Sequence, residues 1–108
     1  MVMQLYTKSE QAIQREIKKW LEGIGAQVTK YNANGFGVIG HPDLFVSLPM
    51  PGFAFPIAVF IEVKTEKGRL SKEQKQKIAQ LERDHHMVVV AKSIEDVREF
   101  LISNGVKL

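Results

Sequence analysis

Two carboxylates and a lysine stand in a pattern that can bring them together. Glu62 and Lys64 alternate with Ile61 and Val63 at the end of an apolar run, and Asp43 lies earlier in the chain. Alternate side chains of a strand share a face, so Glu62 and Lys64 point away from the two apolar residues. Charged groups at the end of a buried strand cost free energy unless a metal ion, a mutual ion pair or a phosphate compensates for the lost hydration.

The segment between Asp43 and Glu62 predicts a β-hairpin. Strand-like runs cover 42–48 and 57–64, and a proline-rich turn separates them. The two arms are similar in length, so the register brings Asp43 and Glu62 to the same edge of the sheet. Two carboxylates that converge there repel each other unless a cation lies between them. Oxygen ligands of this kind suit Mg²⁺ or Mn²⁺.

A divalent ion at this edge would support phosphodiester hydrolysis. It would withdraw electron density from the phosphate and lower the pKa of a bound water. Lys64 would position that water or neutralise charge that develops on the phosphate oxygens. Glu10 lies on the same predicted helix stripe as Ile13 and Ile17, and could bind a second metal directly or through water. A capping box with Thr7 explains Glu10 equally well.

Three helices and four strands are predicted to position these residues. The first helix starts near Thr7, has an apolar face at steps of three and four, and ends at Gly23 and Gly25. A strand follows over 26–31, and then a glycine-rich turn over 32–37. Tyr31 precedes that turn and Phe36 lies within it, and core packing or loop anchoring explains both residues more simply than base stacking.

The second half of the chain repeats the alternation of helix and strand. Ser71 caps a helix with Gln74 three residues on, and the run Met87–Ala91 predicts a buried strand. Ser93 caps a third helix that stops near Gly105. The order α-β-β-β-α-β-α predicts an α/β (α+β) fold: a mixed central sheet flanked by helices, with an antiparallel hairpin followed by a parallel strand–helix–strand unit.

Composition narrows the class of protein. A chain of 108 residues suits one domain, 1–108, and one core. The absence of cysteine excludes disulfides, thiolate zinc sites and cysteine nucleophiles. No apolar run approaches the length of about 20 residues that spans a bilayer, so a cytoplasmic location is the default expectation. The net charge of +3 points weakly to a polyanionic partner.

Together these segments resemble the virus-type replication-repair nuclease (VRR-NUC) domain of the PD-(D/E)XK nuclease superfamily. The matching segments are Glu10, Gly40-His41-Pro42-Asp43, Ile61-Glu62-Val63-Lys64, and Gly68-Arg69-Leu70-Ser71 with Gln74. The likeness extends from about Glu10 to about Leu101. The short P-D…E-x-K pattern is weak by itself, whereas its combination with the downstream G-x-L-S-x-x-Q stretch is much more specific.

The resemblance implies a restriction-endonuclease-like fold and a Mg²⁺- or Mn²⁺-dependent DNA endonuclease. Asp43, Glu62 and the Val63 backbone carbonyl would be metal ligands, Lys64 would be catalytic, and Glu10 and Gln74 would be accessory. A capping box with Ser71 is the simpler explanation of Gln74. Stand-alone members of the family, often phage-encoded, resemble junction resolvases, which are homodimers that cut branched DNA such as four-way junctions in DNA repair and recombination.

Two surface features bear on DNA and on a second copy of the chain. A basic stretch begins at the motif and could track phosphates through Lys67, Arg69, Lys72 and Lys75, although such stretches are usually solvated faces. Phe53 and Phe55 form an apolar hairpin tip that predicts a homodimer contact. Alternatives to the nuclease are a non-catalytic nucleic-acid-binding module of the same fold and a sequence-specific restriction-type or RNA-directed nuclease.

Overall fold

The computed structural model of the protein describes residues 8–31 and 39–108. The predicted turn over 32–37, including Phe36, lies outside these ranges, as does Thr7. The elements are α1 Glu10–Gly23, β1 Gln27–Lys30, β2 Leu44–Leu48, β3 Ile57–Val63, α2 Lys72–Arg83, β4 Met87–Ala91 and α3 Ile94–Ser103. This confirms the predicted order α-β-β-β-α-β-α and the mixed α+β class.

The start of the first helix differs from the prediction. Ser9 is the N-cap of α1, and its side chain accepts a hydrogen bond from the Ala12 N–H. Glu10 is therefore the first helical residue and does not occupy the third position, which a capping box with Thr7 would require. The serine hydroxyl satisfies a free N–H group of the first turn, so the helix begins two residues later than expected.

The four strands form one sheet in the order β1-β2-β3-β4. β1, β2 and β3 pair antiparallel in sequence, and β4 joins β3 in parallel, as the hairpin and the strand–helix–strand unit predict. One face of this sheet packs against α1 and α3 and forms the core. Its buried members include Ile13, Ile17, Leu21, Leu44, Val46, Val59, Ile61, Val63, Val97 and Leu101.

The opposite face of the sheet, here called the open face, is less covered. Among the described elements, the only one whose backbone lies against this side is α2, which packs against β4. β4 was predicted to be a buried strand, but only Ala91 is fully buried, Met87, Val88 and Val89 are half-buried, and Val90 is exposed. The reason is that β4 alternates: Met87, Val89 and Ala91 contact the core, whereas Val90 faces the other way.

All three helices end in the same type of turn. In each, the N–H of the second residue beyond the cap bonds to a carbonyl of the last turn, as Ala26 does to Leu21 and His86 to Leu81. The residue before that donor has a positive φ, which is +98° at Gly25 and +89° at Gly105. In α2 this position is taken by His85, with φ 66°.

Candidate active site

The hairpin register brings the two predicted acidic residues to one edge of the sheet. Leu44 pairs with Ile61 in the antiparallel ladder. Asp43 and Glu62 each lie one residue further toward that edge, so both side chains belong to the open face. Oδ2 of Asp43 accepts a hydrogen bond of 2.8 Å from the Val63 N–H. That bond ties the Asp43 carboxylate to the backbone next to Glu62.

Glu62 is a buried carboxyl group, with only 1% of its surface exposed. Burial raises the pKa of Glu62 to about 8. Asp43 acts in the same direction through a side-chain hydrogen bond and through its charge, whereas Lys64 opposes the rise. Such a raised pKa is typical of two neighbouring carboxyls that share one proton, because the two groups cannot both be ionised unless a cation lies nearby.

Lys64 lies beside this pair. Its Nζ is 4.0 Å from Oε1 of Glu62, and its side chain is largely shielded from solvent. The Lys64 N–H donates to the Ala91 carbonyl at 3.0 Å, which continues the pairing of β3 with β4 past the end of the strand. The backbone therefore holds the lysine at the edge where the carboxylates meet.

Gln74 serves the helix cap and the acidic pair at once. Its Oε1 accepts from the Ser71 N–H at 2.8 Å, and the Ser71 hydroxyl accepts from the Gln74 N–H at 3.1 Å, which completes the capping box. Its Nε2 donates to Oε1 of Glu62 at 2.5 Å. The two interpretations of Gln74 are therefore compatible, because its amide oxygen and amide nitrogen have different partners.

Gly40 allows the approach to Asp43 to run against α2. It has φ +86°, and a Cβ at this position would collide with the backbone carbonyl of Glu73. Only glycine suits both the left-handed backbone and the close contact. The contact holds the chain that leads into Asp43 next to the helical turn that carries Gln74.

The structure does not bring Glu10 to this pair. Among the described residues, no three Asp, Glu, His or Cys side chains form a group that could hold a metal ion. Direct binding of Glu10 to an ion shared by Asp43 and Glu62 therefore has no support in this geometry. A contact through water stays a prediction.

The predicted DNA-binding residues Lys67, Arg69, Lys72 and Lys75 are all exposed. Within residues 8–31 and 39–108, none of the ion pairs involves these four side chains. By contrast, Lys8, which precedes α1, pairs with Glu16, and Lys18 within α1 pairs with Glu22. The cations that follow the motif are thus available to an anion, whereas these two lysines are paired with carboxylates.

Sequence reasoning assigned no role to His41, yet it joins the site to a group of aromatic rings. Its Nδ1 lies 2.9 Å from the Pro42 carbonyl oxygen. Its ring packs edge-on against Tyr31 and Phe60, with centroids 4.5 and 5.6 Å apart. No local sequence signal could have revealed this contact, since the three residues come from three separate segments of the chain.

The donor set fits a divalent metal ion. Oε2 of Glu62 is buried, and within the described part of the chain no amide, ammonium or hydroxyl group donates a hydrogen bond to it. An unpartnered carboxylate oxygen beside a second carboxylate costs free energy that a cation would offset. The two carboxylates supply oxygen ligands, which Mg²⁺ and Mn²⁺ prefer.

Comparison with known proteins agrees with this architecture. The family model described as the VRR-NUC domain matches residues 2–95. A solved structure described as a VRR_NUC domain has TM-score 0.70 and 28% identity, over 90% of this chain and 97% of that one. A second solved structure, described as a VRR_NUC domain protein, has TM-score 0.67 and 22% identity over 90% of this chain and 88% of that one. At this level of identity, the match shows similarity of fold alone. A search of curated proteins finds no match. From the extent of the family match, the chain belongs to the VRR-NUC domain family, a nuclease-type family.

Proposed function

We propose that this protein is a metal-dependent endonuclease that hydrolyses phosphodiester bonds of DNA. The observation that carries the proposal is the buried Glu62 carboxyl beside Asp43, with one oxygen to which no amide, ammonium or hydroxyl group of the described residues donates. A buried acidic pair of this kind destabilises the fold when no cation is bound, because burial penalises its charge. A bound cation would offset that cost, so the pair is better explained as a cation site than as a structural element.

Asp43, Glu62 and the Val63 carbonyl would hold Mg²⁺ or Mn²⁺ in this proposal. The ion, when bound, supplies Lewis acidity toward the phosphate and a water of lowered pKa. Lys64 neutralises charge that develops on the phosphate oxygens, and its short distance from Glu62 keeps it in position. Gln74 orients the Glu62 carboxylate through Oε1 and so leaves Oε2 free for the ion.

Branched DNA is the proposed substrate, and a homodimer is the proposed active form. Membership in the family supports DNA as the partner, and the exposed basic residues from Lys67 to Lys75 supply the charge that phosphates require. The tip residues Phe53 and Phe55 are 72% and 82% exposed, an apolar area that a second copy could cover. Within the described ranges, none of the helices combines the length and the apolarity needed to cross a bilayer. We place the protein in the cytoplasm, where such DNA is accessible.

One assay tests the proposal. The protein is incubated with four-way junction, flap, single-stranded and fully paired linear DNA, each with Mg²⁺, Mn²⁺ or EDTA. We expect cleavage with either metal, preference for the branched DNAs and no cleavage in EDTA. Asp43→Asn should lower the rate at least about a hundredfold, as loss of a group from a preorganised charged site does. Asp84→Asn, at the exposed end of α2, is the matched control.

The alternatives predict other results. Cleavage that persists in EDTA, or that survives Asp43→Asn, would reject the metal mechanism. DNA binding without cleavage under any metal would favour the non-catalytic binding module. Cuts at fixed sequences in linear duplex would favour a restriction-type enzyme. Light scattering at micromolar concentration tests the homodimer, and a monomeric mass would refute it.

A further inference from the structure

Five ring-bearing side chains form a connected group on the open face, here called the aromatic cluster: Tyr31, His41, Phe45, Phe60 and His86. Phe60 is at the centre, with ring centroids 5.6 Å from His41, 5.0 Å from Phe45 and 5.5 Å from His86. Most of the contacts are edge-to-face, an arrangement that fixes each ring relative to the next. The cluster therefore presents several connected rings on one side of the sheet.

The cluster is partly accessible to solvent. Phe45 and Phe60 are half-buried, and the neighbouring Ala58 on β3 is exposed. Tyr31 and His86, at opposite ends of the cluster, are both exposed, and 44% of the Tyr31 surface is accessible. The backbone of α2, the described helix on this side of the sheet, packs against β4. Its Gln74 side chain reaches Glu62 at the end of β3, and the rings of Phe45 and Phe60 further along the strands stay partly exposed. A flat ligand can reach these rings.

The cluster also borders the acidic pair. The Tyr31 N–H donates to the Asp43 carbonyl at 2.8 Å, which continues the β1–β2 ladder by one residue beyond Lys30 and Leu44. Residues that face each other across a ladder share a side of the sheet, so Tyr31, Asp43 and Glu62 form one row along its edge. Phe60 lies two residues from Glu62 on the same face, about 7 Å along the strand.

We infer that the aromatic cluster stacks an unpaired base of the DNA strand next to the scissile phosphate, with Tyr31 as the principal contact. The inference rests on the proposed nuclease function and adds a source of substrate selectivity. A base within a duplex has both faces covered by its neighbours, whereas an unpaired base can exchange solvent for an aromatic ring. Stacking is tolerant of sequence because every base has a π-face, so the cluster would select DNA structure and not sequence.

Binding measurements without cleavage test this inference. Fluorescein-labelled flap DNA with unpaired nucleotides and a fully paired duplex of equal length are titrated with protein in EDTA, and anisotropy reports the Kd. We expect Tyr31→Ala to weaken binding of the flap about tenfold, the usual effect of losing one stacked base, and to leave the duplex within about twofold. Tyr31→Phe should behave as the wild type, because the ring is kept. Ile102→Ala, which removes an exposed apolar side chain of α3 on the other side of the sheet, should change neither Kd.

A second readout follows the base itself. A 2-aminopurine at the first unpaired position of the flap should lose fluorescence on binding the wild type and Tyr31→Phe, and lose much less on binding Tyr31→Ala. Equal weakening on both DNAs, no weakening, or no binding to either DNA would overturn the inference. So would light scattering that shows a wild-type dimer and a Tyr31→Ala monomer, since a second copy would then cover the rings. The binding titrations contain no divalent ion, so they are independent of cleavage. If the protein cleaves DNA with Mg²⁺ but Tyr31→Ala binds the flap as the wild type does, only the stacking inference fails and the proposed nuclease function stands.

Discussion

The amide nitrogen of Gln74 donates a hydrogen bond to Oε1 of Glu62, and thereby joins the first turn of α2 to the end of β3. The same side chain closes the capping box of that helix through its oxygen. The start of α2 and the acidic pair are thus held together by one side chain. Substitutions at Gln74 and Ser71 can separate the effect of losing the helix cap from the effect of disturbing the acidic pair.

Gln74→Ala should affect both activity and stability, because it removes both bonds. We expect a loss of about 1 kcal/mol in the free energy of unfolding, typical of a lost cap, and a cleavage rate lowered about tenfold or more. Ser71→Ala is the matched control, since it removes a cap bond without touching Glu62. Chemical denaturation and single-turnover kinetics measure the two effects. If Ser71→Ala lowered the rate as much as Gln74→Ala, the bond to Glu62 would have no special role.

Glu62 makes the stability of the metal-free protein depend on pH. Its pKa of about 8 in the folded protein lies above the ordinary value of 4.5. Between these values the folded state holds a proton that the unfolded state has released, so stability falls as pH rises through this window. Below pH 4.5 Glu62 is protonated in both states, so stability no longer changes with pH through this group. Denaturation in EDTA at pH 5 and pH 8 should show a loss of roughly 3 to 4 kcal/mol from this group.

Glu62→Gln should abolish that dependence and expose the role of the charge. The variant should be more stable than the wild type in EDTA at pH 8, and Mg²⁺ or Mn²⁺ should no longer raise its Tm. Wild type should gain Tm from either metal, and gain more at pH 8 than at pH 6, because binding requires the carboxylate. Glu66→Gln, an exposed residue shortly after β3, serves as the control. A metal-induced rise in Tm that is unchanged in Glu62→Gln would exclude this residue as a ligand.

Gly40→Ala should weaken the site through the backbone. The added Cβ collides with the Glu73 carbonyl, so either Asp43 or the start of α2 must move. We expect a lower Tm and a cleavage rate reduced by more than about tenfold, since small displacements in a preorganised site are costly. Gly52→Ala has a matching φ of +84° with no atom near its Cβ, and so reports the backbone cost alone. Equal behaviour of the two variants would mean that the Gly40 contact with α2 is unimportant.

His85→Gly should stabilise the protein. His85 adopts φ 66° at the end of α2, where α1 and α3 have glycine in the equivalent turn. Relief of the left-handed strain, less the added entropy of the unfolded chain, should contribute about 0.5 to 1 kcal/mol. Gly105→Ala at the end of α3 should instead destabilise the protein, because it introduces a Cβ at a position with positive φ. The midpoints of denaturant unfolding measure both, and a His85→Gly variant no more stable than the wild type would show that the histidine side chain offsets the strain.

The sequence by itself determined the order of the elements and the edge of the sheet at which chemistry can occur. Alternation of side chains along 57–64 and the matched arms of the hairpin suffice to bring Asp43 and Glu62 together, because antiparallel pairing converts positions in the chain into neighbours across the sheet. Capping signals placed the start of α2 correctly at Ser71. They failed at α1, where Ser9 is the residue that caps the helix.

Only the tertiary structure decided which side chains accompany that pair. The contacts of Gln74 with Glu62, of Gly40 with Glu73, and of His41 with Tyr31 and Phe60 join segments whose separation in the chain follows no period. The exposure of Val90 was likewise unpredictable, since an apolar run does not reveal whether one or both faces of its strand are covered. The local sequence pattern determines the secondary structure of each element, whereas the packing of the helices on the sheet determines which side chains of different elements come into contact.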